Sequence, residues 1–174
     1  QTNKSFDLII HQIDVAEFSA NQRDQFTVTG TITGYGFIPT NTGDSKDGEG
    51  NITIPMVVDL TIDLAEPTGP LNAGTTSSLE VIVSNEGNAV DSVYKVTVTD
   101  SCPLLEVGGA EELESVAIEM GNNLTQILNI STSGSHPTKN CVIEISIQSR
   151  GDMDAGRSQT ADSDESTVSI VEDR

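Results

Sequence analysis

The segment Leu79–Thr99 constrains the fold more than any other stretch of this chain. It contains two runs in which every second residue is apolar: Leu79, Val81 and Val83, then Tyr94, Val96 and Val98. Between the runs lies Asn85–Asn88, whose Asn and Gly residues tolerate left-handed backbone conformations. A period of two on both sides of such a turn predicts a hairpin of two antiparallel strands. The segment therefore specifies a β-sheet core but no chemistry.

Strand-like runs recur along the rest of the chain, separated by turns. They cover Phe6–Val15, Gln25–Ile38, Ile52–Leu64, Val116–Met120, Leu124–Ile130, Cys141–Ser149 and Thr167–Val171. Two longer stretches, Thr40–Asn51 and Gly151–Ser166, have the composition of loops, and Ser101–Glu114 has room for one short helical turn. About nine strands without an amphipathic helix predict an all-β fold, namely an antiparallel β-sandwich.

The charge of the chain is strongly one-sided, with 27 Asp and Glu against 8 Lys and Arg and a formal net charge of −19. Without a basic patch to neutralise phosphates, nucleic acid and anionic membrane surfaces are not expected as partners. Hard divalent cations suit such a surface; the alternative interpretation is that the acidic residues keep the protein soluble. No apolar run approaches the roughly 18 residues that a membrane-spanning helix needs, so membrane insertion is not expected.

The two cysteines, Cys102 and Cys141, lack the close spacing of a redox or zinc motif. A disulfide between them is expected, and two free buried thiols are the alternative. A disulfide implies an oxidising location outside the cytoplasm. Because the sequence begins at Gln1 rather than Met, we also expect a processed or excised form. Together these features predict an extracellular or cell-surface protein.

A family resemblance covers residues 58–171. It rests on Asp59–Ile62, Asn72–Gly74 and Val81–Ala89, followed by the strands Val116–Met120 and Cys141–Ser149 in the same order. On these residues the chain resembles the CARDB/APHP-type immunoglobulin-like modules of archaeal and bacterial surface proteins. The resemblance implies an immunoglobulin-like sandwich that serves as an extracellular spacer or adhesion domain, without catalytic residues. We therefore expect a single domain over 1–174, with an immunoglobulin-like core over 56–174 and extra N-terminal strands over 1–55.

Two acidic stretches are candidate metal sites. The first predicts a Ca²⁺ loop with the ligands Asp44, Asp47, Glu49 and Asn51, although Lys46 departs from the EF-hand pattern. The second supplies Asp152, Asp154, Asp162 and Asp164, together with Glu165, whose mutual repulsion a bound cation would relieve. Ca²⁺ is the expected cofactor, and a solvated loop without metal is the alternative in both places.

Catalysis finds little support in the sequence. Neither His11 nor His136 has a nucleophile and an acid at a recognisable motif spacing, and 27 acidic residues make carboxylate pairs uninformative. We therefore expect no enzymatic activity.

Four Asn-x-Ser/Thr sequons, at Asn3, Asn51, Asn123 and Asn129, are candidate glycosylation sites of a surface protein.

The sequence thus predicts a non-enzymatic extracellular structural or adhesive unit. Its expected partners are further copies of the chain or other surface proteins. The nearly continuous apolar run Phe6–Val15 indicates a strand that is buried on both faces or that pairs with another chain. In the second case, strand addition to a neighbouring copy would build a filament. The alternative function is a Ca²⁺-dependent ligand-binding or carbohydrate-binding module. The absence of Trp, which would stack on sugars, speaks against the carbohydrate form.

Overall fold

The computed structural model describes residues 23–32, 44–103 and 105–172. The chain divides between Met56 and Val57 into two compact units, 1–56 and 57–174. The predicted first strand Phe6–Val15 lies outside the described residues, and so do the sequon at Asn3 and the histidine His11.

The described part of the first unit is an antiparallel pair of strands. β1 (Arg23–Ile32) and β2 (Asp44–Thr53) run in continuous register, with Arg23 opposite Thr53 and Ile32 opposite Asp44. The loop predicted over Thr40–Asn51 is therefore wrong for residues 44–51, which belong to β2. Pairing with β1 overrides the weak strand preference of the Gly and Asp residues, because strand propensity depends strongly on the neighbouring strand.

The second unit is an all-β sandwich of two sheets, which confirms the predicted fold class. Its strands are β3 (Leu60–Leu64), β4 (Leu71–Asn72), β5 (Thr76–Asn85), β6 (Asp91–Asp100), β7 (Leu105–Gly108), β8 (Ala117–Ile118), β9 (Asn123–Thr132), β10 (Lys139–Ser149) and β11 (Asp162–Val171). A 3-10 helix covers Ala110–Leu113, and a short helix α1 covers Arg150–Asp154. The first sheet has the strand order β4-β11-β10-β6-β8, and the second has the order β3-β5-β9-β7.

The core lies between these two sheets. Buried and exposed residues alternate along the long strands, so that one face of each strand is inside. The inward residues of β5 and β10 are at most 1% exposed: Leu79, Val81, Val83, Cys141, Ile143, Ile145 and Ile147. With four Phe and no Trp, the chain fills this core with aliphatic side chains, whose burial supplies the main driving force for folding.

β5 and β6 do not form the predicted hairpin. β5 pairs with β3 and β9, whereas β6 pairs with β10 and β8 in the opposite sheet. The buried side chain of Asn85 holds the crossing between the sheets. Its Nδ2 donates to the carbonyl oxygens of Ala89 and Ile118, both at 2.8 Å, and its Oδ1 accepts from the amide of Gly87 at 3.0 Å. The alternation predicted both strands correctly, but it does not specify which strand each one pairs with.

Two smaller predictions differ in outcome. The short helical turn expected within Ser101–Glu114 is confirmed by the 3-10 helix. The strand expected over Ile52–Leu64 is interrupted, because β2 ends at Thr53 and β3 begins at Leu60. Pro55 lies in the interruption, where its missing amide hydrogen leaves no gap in a sheet ladder.

Gly87 packs against the backbone at the start of the second unit. A Cβ at this position would lie 2.6 Å from the carbonyl oxygen of Val57 and 3.1 Å from the amide nitrogen of Asp59. Because both contacts are with backbone, Gly87→Ala is expected to lower the free energy of unfolding by about 2 to 3 kcal/mol. Urea denaturation followed by circular dichroism measures the loss.

Gly69→Ala is the matched control, since nothing lies within 4 Å of a Cβ at that position. It is expected to leave the free energy of unfolding within about 1 kcal/mol of the native value, or to raise it slightly by restricting the unfolded chain. Equal losses in the two variants would contradict the role assigned to the close backbone approach at Gly87.

Candidate functional site

The acidic loop predicted over Gly151–Ser166 is wrong at both of its ends. Its first residues belong to α1, and β11 begins already at Asp162. The side chain of Ser149 caps α1 by accepting a hydrogen bond from the amide of Asp152 at 3.0 Å. At the other end, β11 pairs with β10 from Asp162 onwards. A cap and a neighbouring strand thus override a composition that is typical of loops.

Side chains of β11 bind the backbone of the chain that runs beside it. Three hydrogen bonds form: Ile62 N–H to Asp162 Oδ2 (2.9 Å), Leu64 N–H to Asp164 Oδ2 (2.8 Å), and Ser166 Oγ to the carbonyl oxygen of Ala65 (3.2 Å). Further along, the end of β11 pairs with β4 as a parallel strand. We call this whole line of contacts, between residues 62–73 and 162–171, the seam.

The seam closes an open sheet edge. β3 is an edge strand with β5 on one side, so the amides of Ile62 and Leu64 point away from its own sheet. Unpaired edge amides are a template for pairing with another chain. The carboxylates of Asp162 and Asp164 occupy them from the opposite sheet. Sequence reasoning missed this role, although the alternation of Asp162, Asp164, Ser166, Val168 and Ile170 was a readable sign of one inward strand face.

The structure separates the predicted ligands of the second acidic stretch. Asp162 and Asp164 bind the β3 backbone, Asp152 Oδ1 accepts from Arg157 Nε at 2.7 Å, and Asp154 is exposed. No three carboxylates among the described residues bring ligand atoms within 4.8 Å of one another. The residues of the first stretch, Asp44, Asp47, Glu49 and Asn51, all lie on β2. Calcium binding at either stretch stays a prediction.

The predicted disulfide between Cys102 and Cys141 is present and buried. The disulfide joins Cys141 on β10 to Cys102, which lies two residues after the end of β6. β6 and β10 are neighbours in the sheet. His136 is also buried beside it, with Nε2 3.9 Å from Cys141 Sγ and Nδ1 2.7 Å from the carbonyl oxygen of Pro137. Because a carbonyl only accepts, Nδ1 carries the proton. These three residues bring their ligand atoms within 4.8 Å, but the two sulfurs are bonded to each other.

A buried polar network ties β6 to the turn between β10 and β11. Asp91 Oδ2 accepts from Ser149 Oγ at 2.6 Å, while Oδ1 accepts from the amides of Gly151 (2.9 Å) and Ser92 (2.7 Å). Ser149 is fully buried and links Asp91 to α1 through its cap. Among the described residues no buried side-chain nitrogen or oxygen atom lacks a hydrogen-bond partner, and both carboxylate oxygens of Asp91 are used in this network.

Beside this network lies a polar cavity of about 350 Å³, lined in part by Asp59, Asp152, Arg157 and Gln159. The ion pair between Asp152 and Arg157 forms part of the cavity wall, and the Arg157 side chain is 49% exposed. None of its described lining residues is aromatic, so these residues offer no surface for stacking a sugar or a base. Its lining suits water and small polar solutes.

The first residues of the second unit are held by the turn after β5. Val57 donates its amide hydrogen to Asn88 Oδ1 at 2.8 Å, and its carbonyl oxygen accepts from the Asn88 amide at 3.2 Å. The amide of Glu86 donates to the carbonyl oxygen of Asp59 at 2.9 Å. The chain is therefore bound at Val57 before it enters β3.

In contrast to β3, β6 has one side on which no described strand pairs with it from Tyr94 onwards, beyond β8 and a bridge between Val93 and Glu114. We call this stretch the unpaired side of β6. β10 pairs with one side of it, and on the other side β8 pairs only with Asp91 and Ser92. The amide of Val96 on this side donates to Glu114 Oε1 at 2.9 Å, and by strand alternation the amides of Val98 and Asp100 lie on the same side. No described strand covers them. Val96 and Val98 are only half-buried although they pack against the core.

The remaining predicted positions lie at the surface where the structure describes their side chains. Asn123 and Asn129 are exposed on β9, and Asn51 is in β2. Among the described residues, no helix has the length and apolar character that crossing a membrane requires.

Comparison with known proteins assigns no family to the chain. No protein-family model matches it, and no curated protein matches it. Matching solved structures include a crystal structure of domains 4 and 5 of the S-layer protein SbsC, with 13% sequence identity and a TM-score of 0.40. That match covers 86% of this chain and 76% of the other. The similarity is distant and establishes neither family nor function, so the CARDB/APHP-type resemblance stays a prediction.

Proposed function

We propose that this chain is a non-enzymatic structural unit of an extracellular surface assembly, in which the segment Phe6–Val15 of one copy adds as a strand to the unpaired side of β6 in the next. The observation that carries this proposal is the difference between the two sheet edges. The edge of β3 is closed by Asp162 and Asp164, whereas the side of β6 that faces away from β10 has no described strand paired with it between Tyr94 and Asp100.

The side chains next to the unpaired side of β6 favour an apolar partner strand. Val96 and Val98 face the core but stay half-buried, because the sheet ends beside them. An added strand would complete their burial and would bond to the amides of Val98 and Asp100. Phe6–Val15 has the matching composition, since it is nearly continuously apolar and includes Leu8, Ile9 and Ile10.

A disulfide and a net charge of −19 support the extracellular part of the proposal. Disulfides persist in oxidising compartments outside the cytoplasm. The charge also sets the conditions for assembly, because copies that each carry many negative charges repel one another at low ionic strength. We therefore expect assembly to strengthen as salt or calcium screens the charge.

Sedimentation velocity tests the assembly. The full chain, at high concentration and physiological or higher ionic strength with calcium present, is expected to form oligomers. A variant without residues 1–15 is expected to sediment as a monomer under the same conditions. A full chain that stays monomeric throughout would overturn the proposal, and so would a truncated variant that assembles as the full chain does.

Fluorescence anisotropy of a labelled peptide of residues 1–15 locates the acceptor strand. We expect the truncated variant to bind this peptide and Val98→Pro in the same background to lose binding, because proline removes the amide on the unpaired side while leaving the β10 ladder intact. Thr125→Pro is the matched control on β9, because no described strand pairs with residues 123–128 on the side of β9 that faces away from β5. Loss of binding in Thr125→Pro but not in Val98→Pro would refute the assignment to β6.

A further inference from the structure

We propose that the second unit has a mechanical function: the seam makes it a clamp that resists tension applied between its two ends. This inference rests on the proposed surface assembly, because neighbouring copies and the surface are what would pull on the chain. It concerns how residues 57–172 carry a load, and it assigns that role to Asp162, Asp164 and the β4–β11 pair.

The two sides of the seam run in the same direction. Ile62 is bound by Asp162 and Leu64 by Asp164, and farther along Leu71 and Asn72 lie opposite Ile170 and Val171. Residue numbers therefore rise together on both sides. The last contact is the Ala73 amide, which donates to the carbonyl oxygen of Val171 at 2.8 Å. The first and last strands of the unit are thus parallel neighbours along the length of β11.

This direction decides how a pull on the ends is distributed. The chain enters the unit at Val57, beside one end of the seam, and leaves after Val171, at the other end. Tension then slides the two sides along each other, and the hydrogen bonds of the seam share the load at the same time. In a terminal antiparallel hairpin, by contrast, the two ends lie side by side and the bonds open one after another.

Both ends of the loaded path are also anchored outside the seam. At the start, Val57 exchanges two hydrogen bonds with Asn88, at 2.8 and 3.2 Å. At the end, the amide of Glu172 donates to Thr138 Oγ1 at 3.0 Å. These bonds therefore carry part of the applied force before it reaches the hydrogen bonds of the seam.

The disulfide limits how far the chain can extend once the seam breaks. It joins two residues at a sequence separation of 39, and the loop between Cys102 and Cys141 includes β7, β8 and β9. These residues cannot lengthen under tension while the bond is intact. Reduction is expected to add about 14 nm to the released length, given an extension of at most about 3.6 Å per residue over a separation of 39.

Single-molecule force spectroscopy on the full chain tests the clamp. Pulling from the two chain ends is expected to unfold residues 57–172 at a force at least about twice that found when the same chain is pulled between its N-terminus and an attachment point at the exposed Ser158. The second geometry loads the seam from the end where Ile62 meets Asp162, so its bonds open in succession. Equal forces in both geometries would overturn the proposal.

A pair of variants separates the seam from general stability. Asp162→Ala combined with Asp164→Ala is expected to lower the end-to-end unfolding force by about a third, because two load-sharing bonds are lost. Ile130→Val is the control, since it removes a buried methyl group on β9, which β5 separates from β3. It is expected to leave that force nearly unchanged. The opposite order of effects would refute the role of the seam.

These measurements are made on single molecules and do not depend on assembly. A chain that shows the expected directional force but never oligomerises in solution would overturn the proposed strand addition and support the clamp. A chain that oligomerises but unfolds at equal force in both directions would support the proposed strand addition and overturn the clamp.

Discussion

Replacing Cys102 and Cys141 together with alanine is expected to lower the free energy of unfolding of the second unit by about 4 kcal/mol. The disulfide closes a sequence separation of 39, and in the chain-entropy model a loop of this size stabilises by that amount through restriction of the unfolded chain. Both cysteine residues are buried, at 1% and 0% exposure, so the lost packing adds to the effect. Urea denaturation followed by circular dichroism measures it.

Reduction of the native protein is the matched comparison, because it opens the cross-link and keeps both sulfur atoms in the core. The reduced protein is expected to lose most of the stability that the double alanine variant loses. If the reduced protein unfolded at the same urea concentration as the oxidised one, the cross-link would not be the source of the stability.

Asp91→Ala is expected to cost about 3 kcal/mol, because the change leaves buried donors without an acceptor. The carboxylate accepts three hydrogen bonds, from Ser149 Oγ and from the amides of Gly151 and Ser92. Ser149 is fully buried, so water cannot replace the lost partner without opening the turn. The same urea titration reports the change.

Asp91→Asn distinguishes the hydrogen bonds from the charge. The amide oxygen can still accept from Gly151 and Ser92, and the amide nitrogen can donate to Ser149 Oγ, so the expected loss is within about 1.5 kcal/mol. An Asn variant as unstable as the Ala variant would show that the negative charge, rather than the geometry of the network, holds the turn.

The sequence predicted which residues form strands better than it predicted how the strands are paired. Alternation in Leu79–Thr99 correctly placed two strands and the buried face of β5. On β6 it placed Tyr94 on the apolar face, but Tyr94 is exposed and Val93 is buried. It wrongly joined the two strands as a hairpin, because a period of two describes one strand against a core and is the same whichever sheet the strand belongs to. The partner is chosen by the crossing at Asn85, whose bond to Ile118 spans 33 positions and has no local signature.

Acidic composition was the weaker guide. Asp162 and Asp164 read as a solvated or metal-binding loop because carboxylates are poor strand formers by themselves. In the structure their acceptors are satisfied by amides of β3, 100 positions earlier in the chain. The same composition misplaced Asp44–Asn51, which pairs with β1. Cys102 and Cys141 were easier to predict, since a chain with only two cysteines allows a single disulfide.

The seam also determines when folding of the second unit can be completed. β3 is the first of its strands to emerge during synthesis, and β11 is the last. Closing a contact over 100 positions is slow and waits for the whole intervening chain. Until Asp162 and Asp164 are synthesised, the amides of Ile62 and Leu64 stay unpaired at a sheet edge. Unpaired strand edges bind chaperones and promote aggregation. β11 therefore distinguishes complete chains from truncated ones. A chain that stops before Asp162 leaves the edge amides of Ile62 and Leu64 without their acceptors.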